Sequence, residues 1–183
     1  MRTHVALLRG INVLGRNRVA MADLRDLVVS LGHTDVETYI QSGNVVFSSP
    51  EADTQMLGVG LQQAIAERLN VKPNVVVLSR KDLAQVVADN PYRRETDGKC
   101  VHAVFSSTQI EPDRVLAIAT AQSRVQERGS RDEARVGGRT LYLHTPEGFG
   151  RSELVAQLLR SGRDQGTARN WTTVTTLLAM AEE

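Results

Sequence analysis

The sequence predicts an α+β protein made of two tandem ferredoxin-like (α-β plait) subdomains with an extra C-terminal helix. Two observations lead to this fold class. The order strand, helix, hairpin, helix, strand can be followed through residues 1–79, and much of the same order returns after residue 99. We therefore expect a first subdomain at residues 1–79, a linker helix and loop at 80–98, and a second subdomain with the C-terminal helix at 99–183.

The first half alternates short apolar runs with apolar residues at helical spacing. Its predicted elements are a strand at 5–8, a helix at 21–31, strands at 36–40 and 45–48, a helix at 57–69 and a strand at 75–78. Gly32 is expected to end the first helix, and Asp53 to cap the second. The turn Gln41-Ser42-Gly43-Asn44 joins the two middle strands, since Gly and Asn supply the positive φ of an antiparallel hairpin.

The second half repeats this order only in part. Its predicted elements are a short linker helix ending before Pro91, a strand at 101–105, a helix opened by Pro112, a hairpin around Gly137 and helices near 154–159 and 170–178. Residues 43–51 and 138–147 form a weak internal repeat, because each runs from a glycine turn through a strand to Pro-Glu. We expect the extra terminal helix to replace the last strand, and residues 161–169 to form an exposed loop.

Composition limits the classes of function. Lys and Arg total 22 against 21 Asp and Glu, and aromatic residues make up 4%, so nucleic-acid binding is disfavoured unless a local basic patch supports it. The four histidines show neither i, i+4 pairing nor a cysteine cluster, so no metal and no other cofactor is expected. Cys100 is the only cysteine and is expected to be a buried, inert thiol. Without disulfides or an apolar stretch of about 20 residues, a cytoplasmic protein with no membrane partner is predicted.

The most suggestive polar segment is the loop at residues 9–18. It contains three arginines, and no acidic residue precedes Asp23, so an anion would meet a positive local field there. Its glycines have the spacing of a phosphate-binding loop, but Arg16 and Asn17 stand where a lysine and a Mg²⁺-binding hydroxyl are required. This departure disfavours an NTPase. A solvated loop with glycine turns is the simpler interpretation.

Two further segments lead into helices in the second half. Gly148-Phe149-Gly150-Arg151-Ser152 could offer backbone donors and Arg151 to an anion, while a plain glycine loop with a serine cap competes evenly. In the other segment Asn170 is the expected cap of the last helix, and Arg169 lies near the positive end of its dipole. Trp171 continues the apolar spacing of that helix and is predicted to be a core anchor.

Four stretches of the chain resemble a bacterial family known only as domain of unknown function 1697. They are residues 7–13, 39–47, 148–152 and 167–174, and together they extend over nearly the whole sequence. The resemblance implies two ferredoxin-like subdomains and names no activity. Leu14 stands where the family usually has a second glycine, which argues against a ligand loop that needs close backbone approach there. Arg16 and Arg18 keep the positive charge that the family usually carries on lysine.

The leading functional hypothesis is a binding protein for an anionic small ligand, nucleotide-like or phosphorylated. Its site would combine eight polar residues: Arg9, Asn12, Arg16, Gln41, Asn44, Arg151, Arg169 and Asn170. One alternative is an enzyme that acts on a phosphate ester, with the arginines stabilising charge. Another is a protein-interaction or self-association module that uses exposed sheet faces and edges. Catalytic residues, ligand identity and oligomeric state are left open by the sequence.

Overall fold

The structure is a computed structural model that describes residues 1–160 and 166–183. Its contacts divide the chain into two compact units. The first unit comprises Met1–Gln85 together with Thr175–Glu183, and the second comprises Val86–Val174. Within the described residues, no helix is long and apolar enough to cross a membrane.

The first unit contains a four-stranded antiparallel sheet with the predicted order of elements. These are β1 (His4–Arg9), α1 (Met21–Ser30), β2 (Thr34–Tyr39), β3 (Asn44–Ser48), α2 (Thr54–Leu69) and β4 (Asn74–Ser79), followed by α3 (Arg80–Ala88). The strands lie in the order β2-β3-β1-β4, and each neighbouring pair is antiparallel. This order is that of the ferredoxin-like fold, so the predicted fold class is confirmed for the first unit.

Alternation of side chains along the strands builds the core of the first unit. Ala6 and Leu8 of β1 and Phe47 of β3 share one face of the sheet and are buried in a cluster with apolar residues of α1 and α2. The predicted cap of α2 is confirmed, because Asp53 Oδ1 accepts hydrogen bonds from the amides of Gln55 (2.8 Å) and Met56 (3.1 Å). The shared cluster shows that α1 and α2 cover one face of the sheet.

The second unit repeats the same strand order. Its elements are β5 (Val101–Phe105), α4 (Pro112–Gln126), β6 (Glu133–Gly137), β7 (Thr140–His144), a 3₁₀ turn (Phe149–Arg151), α5 (Glu153–Arg160) and β8 (Thr167–Asn170), with α6 (Trp171–Glu182) following. The sheet order is β6-β7-β5-β8, with antiparallel pairing throughout. Two ferredoxin-like sheets and a C-terminal helix are therefore present, as predicted.

One predicted detail of the second unit is wrong. The terminal helix does not replace the last strand, because β8 pairs antiparallel with β5, with Ala103 opposite Arg169. The strand is only four residues long and reads Thr-Ala-Arg-Asn, so its own sequence has little of the apolar, β-branched character that marks a strand. The predicted loop at 161–169 is correspondingly wrong for residues 167–169, and residues 161–165 lie outside the described residues.

Two single-residue predictions also change in detail. Cys100 is half-buried instead of buried and lies directly before β5, and its thiol donates to the carbonyl of Pro146 at 3.7 Å. Burial and the nearby Asp97 raise the pKa of this thiol, so an unreactive cysteine remains the appropriate description. Trp171 is half-buried, with its ring 6.4 Å from that of Tyr142, so it is packed without being a central core residue.

Candidate functional site

The loop between β1 and α1 has an unusual backbone for its length. Positive φ angles occur at five of the residues between 10 and 17: Gly10, Asn12, Leu14, Gly15 and Asn17. Val13 and Arg16 form an antiparallel bridge, and the amide of Arg16 donates to the carbonyl of Val13 at 2.9 Å. Because Leu14 and Gly15 between them both have positive φ, the loop ends in a tight turn of the type I′ kind. Leu14 at its tip is 97% exposed.

Asn12 holds this loop in place through its side chain. Its Nδ2 donates to the carbonyls of Val19 at 3.0 Å and Gln41 at 2.9 Å, and its Oδ1 accepts from the amide of Val19 at 2.9 Å. Asn17 adds a second brace, since its Nδ2 donates to the carbonyl of Gly10 at 2.7 Å. Asparagine suits both positions because it tolerates left-handed backbone better than most residues. The two side chains fix the loop from inside.

The hydrogen bond from Asn12 to Gln41 joins this loop to the hairpin turn between β2 and β3. Asn44 is fully buried there, and its Nδ2 donates to the carbonyl of Tyr39 at 3.0 Å and to Ser42 Oγ at 2.9 Å. Gly43 has a φ of +76°, and a Cβ placed on it would lie 2.7 Å from Ile11 Cδ1. Only glycine therefore fits at residue 43. We call residues 9–18 together with residues 40–44 the two-loop site.

The two-loop site carries exposed positive charge. Arg9, Arg16 and Arg18 are all exposed. Among residues 1–160 and 166–183, no carboxylate lies within ion-pair distance of Arg16 or Arg18. One guanidinium nitrogen of Arg18 is 3.9 Å from the position that a Cβ on Gly15 would occupy, so this group lies beside the tight turn. Two guanidinium groups are thus presented to solvent on a braced backbone.

The structure brings some of the eight predicted site residues together. Asn12 and Gln41 are hydrogen-bonded, and Arg9, Arg16 and Asn44 lie on the same two loops. The remaining three predicted residues, Arg151, Arg169 and Asn170, belong to the second unit. The convergence of all eight on one ligand stays a prediction.

Arg169 and Asn170 occupy the end of β8, where α6 begins. The predicted cap is confirmed, because Asn170 Oδ1 accepts from the amide of Thr173 at 2.8 Å. Arg169 Nη1 donates to the carbonyl of Ala168 at 2.8 Å. Burial lowers the pKa of the Arg169 guanidinium to about 10, because removal from water disfavours the charged form.

Arg151 lies at the beginning of α5, beside a small cavity of about 230 Å³. The serine cap that competes with anion binding is present there, since Ser152 Oγ accepts from the amide of Val155 at 3.0 Å. Ser152 also donates to Asp132 Oδ2 at 2.7 Å, and Asp132 is only 5% exposed. A carboxylate of the protein itself therefore already lies at this helix end, which weakens the case for an external anion at Arg151.

A larger cavity in the second unit was missed by sequence reasoning. It has a volume of about 900 Å³ and is lined by residues 89–95 together with Glu133, Arg135 and His144. His144 Nε2 is 2.9 Å from Glu95 Oε2, and the rings of Tyr92 and His144 stack with centroids 5.2 Å apart. The available signal was the polar stretch after Pro91, together with charged residues two apart on β6. We call this space the second-unit cavity.

Comparisons with known proteins bear on the family and the fold. The model of the family described as Protein of unknown function (DUF1697) matches residues 1–142. No curated protein sequence matches the chain. Among solved structures, the conserved bacterial protein SP0830 from Streptococcus pneumoniae has 24% sequence identity and a TM-score of 0.74, over 98% of this chain and 98% of its own. That likeness establishes a common fold, and because the family model covers well over half of the sequence, the chain belongs to the DUF1697 family.

Proposed function

We propose that this protein binds an anionic small ligand, phosphorylated or nucleotide-like, at the two-loop site. The observation that carries the proposal is the pair Arg16 and Arg18, exposed and without a carboxylate partner among the described residues, on a loop braced by Asn12. Guanidinium groups recognise phosphate and carboxylate oxygens through paired N–H donors. The one cysteine of the sequence, Cys100, is free, which also fits our expectation of a cytoplasmic binding protein.

The fixed backbone supports a binding role. A loop that is already ordered loses little conformational freedom when a ligand arrives, so more of the interaction energy appears as affinity. Here Asn12, Asn17 and Asn44 use their side-chain amides on the backbone of the two loops, which leaves the arginines as the groups that face outward. Arg9 and Gln41, which belong to the same two loops, remain part of the proposed site.

Residue types at the two-loop site favour binding over catalysis. Residues 9–18 and 40–44 contain no histidine, carboxylate, cysteine or lysine. General acid or base catalysis needs a titratable group within hydrogen-bond reach of the reacting atom, and arginine cannot serve because it stays protonated. An enzyme acting on a phosphate ester therefore stays the alternative, with turnover of phosphorylated substrates as its test.

The exposed tip of the loop favours a second candidate, a protein-interaction role. Leu14 is 97% exposed and Val13 and Ile40 are 53% and 51% exposed, so the two-loop site exposes three aliphatic side chains as well as its arginines. Contiguous exposed apolar surface is typical of interaction sites. Light scattering across a concentration series tests self-association. Leu14→Asn should shift any observed dimer towards monomer, and a monomer at every concentration would exclude self-association.

The ligand proposal is tested by thermal shift and calorimetry on the full chain with inorganic phosphate, pyrophosphate and nucleoside mono- and diphosphates. A ligand that binds only the folded state at a hundred times its Kd adds about 2.7 kcal/mol to stability. The double variant Arg16→Ala/Arg18→Ala should reduce that gain. Arg25→Ala is the matched control, because Arg25 is an exposed arginine that belongs to α1 and not to the two loops, and it lies beside Asp26. An anion that stabilises Arg16→Ala/Arg18→Ala as much as it stabilises Arg25→Ala would contradict the proposal.

A further inference from the structure

The second-unit cavity has the size of a metabolite-binding site. Its volume of about 900 Å³ lies within the usual range for small-molecule pockets, roughly 300–1,000 Å³. One wall is formed by the segment from Asp89 to Glu95 that follows α3, and the other by side chains of β6 and β7. On these strands Glu133 lies opposite His144 in the register, so both project from the same face of the sheet.

Three arginines line this cavity: Arg93, Arg94 and Arg135. Among the described residues, the one hydrogen bond of the Arg93 guanidinium runs from Nε to the carbonyl of Asn90 at 3.2 Å. Within the part of the chain that the structure describes, no carboxylate lies within ion-pair distance of Arg93 or Arg94. Arg135 has a long contact of 3.8 Å with Glu133. Two of the three guanidinium groups therefore have unused donors.

The carboxylates of the cavity are largely engaged already. Glu95 Oε1 accepts from the amide of Asp97 at 2.9 Å, and Glu95 Oε2 is bound to His144 Nε2 at 2.9 Å. These hydrogen bonds lower the pKa of Glu95, so it is ionised, and His144 must carry its proton on Nε2 to donate to it. Glu133 faces Arg135, and the three carboxylates of the lining balance the three arginines in formal charge, so a bound anion would depend on the unused donors of Arg93 and Arg94.

From this arrangement we propose that the second-unit cavity is a separate binding site for a small organic anion with at least two negative charges, a polycarboxylate or a phosphate ester. A ligand of this class would pair with Arg93 and Arg94 at one side, and the stacked rings of Tyr92 and His144 form an apolar wall for its carbon skeleton. The site shares no residue with the two-loop site.

Isothermal calorimetry on the full chain with citrate and with glycerol 3-phosphate tests the proposal. We expect saturable binding of at least one of the two probes, weakened about tenfold or more in Arg93→Ala/Arg94→Ala, which corresponds to at least 1.4 kcal/mol. Arg124→Ala, an exposed arginine of α4, should leave the Kd unchanged. Failure of both probes to bind, or binding unaffected by the double variant, would overturn the proposal.

A variant that is expected to tighten binding separates a role in ligand binding from a structural role. Asp89→Asn removes one of the three carboxylates that line the cavity, so it should tighten binding about threefold or more through a more positive local field. Damage to the fold could only weaken binding, so tighter binding cannot be a structural effect, and unchanged or weaker binding by a variant with wild-type thermal stability contradicts the proposal. The double variant Arg16→Ala/Arg18→Ala should bind citrate and glycerol 3-phosphate at the second-unit cavity unchanged, so the two sites can fail independently.

Discussion

Asn12 provides the sharpest test of how the two-loop site is built. Its side chain makes three hydrogen bonds, two with Val19 and one with the carbonyl of Gln41, and its φ is +52°. At about 1 kcal/mol for each bond, Asn12→Gly should lower the free energy of unfolding by about 2–3 kcal/mol. Asn12→Ala loses the same bonds and adds about 1 kcal/mol of left-handed backbone strain. We therefore expect the stability order wild type, Asn12→Gly, Asn12→Ala.

Urea unfolding of the three proteins measures that order, and hydrogen exchange of the Val19 amide measures the local effect. This amide donates to Asn12 Oδ1 at 2.9 Å, so its protection should fall in both variants. Alanine is ordinarily the better residue than glycine in a folded chain, because glycine loses more backbone entropy. An Asn12→Ala protein as stable as Asn12→Gly, or more stable, would refute the reasoning about the backbone of this loop.

Two further predictions concern a glycine and a carboxylate. Gly43→Ala should lower the free energy of unfolding by about 2 kcal/mol or more in urea and abolish ligand stabilisation. The reasons are the φ of +76° at this residue and the contact of 2.7 Å that the new methyl group would make. Gly60→Ala in α2 is the control and should stabilise the protein by about 1 kcal/mol, because no atom lies within 4 Å of the position of the new methyl group. The pKa of Glu95 is lowered by the Asp97 amide and by His144, so Glu95 contributes stability above the ordinary pKa of a glutamate and loses it as the pH falls through the lowered value. Thermal unfolding between neutral pH and pH 3 should therefore decline less steeply in Glu95→Gln, and an unchanged decline would contradict this assignment.

Most of the fold could be predicted because the apolar residues of its helices and strands recur at the spacing that is typical of each element. The stripe of apolar residues in α1 ends at Gly32, and the two strands of the first hairpin flank a turn with Gly43. Such signals are local, so the sequence contains them directly. β8 lacked them, because its four residues gain their strand conformation from pairing with β5. Its stability comes from a partner more than 60 residues away, which no local pattern contains.

The candidate sites could be predicted only in part, for the same reason. The arginines of residues 9–18 stood out as a cluster, and their proximity in sequence is enough to give a local field. The bond from Asn12 to Gln41 joins residues 29 positions apart, and His144 meets Glu95 across 49 positions. Neither contact can be inferred before the strand register is known. Once β6 and β7 are aligned, Glu133 and His144 become neighbours and give one wall of the second-unit cavity.

The first unit includes residues from both extremes of the chain, and this affects how it can be assembled. The amide of Arg2 donates to the carbonyl of Ala181 at 3.0 Å, and its guanidinium reaches the carbonyl of Met180 at 2.6 Å. A ribosome makes residues 1–85 first, yet the segment Thr175–Glu183 that completes their packing emerges after the whole second unit. During synthesis all four strands of the amino-terminal sheet are therefore made before the segment that packs with them in the first unit. The packing of the first unit can be completed only after the second unit has been made, which departs from the usual folding of one domain after another along the chain.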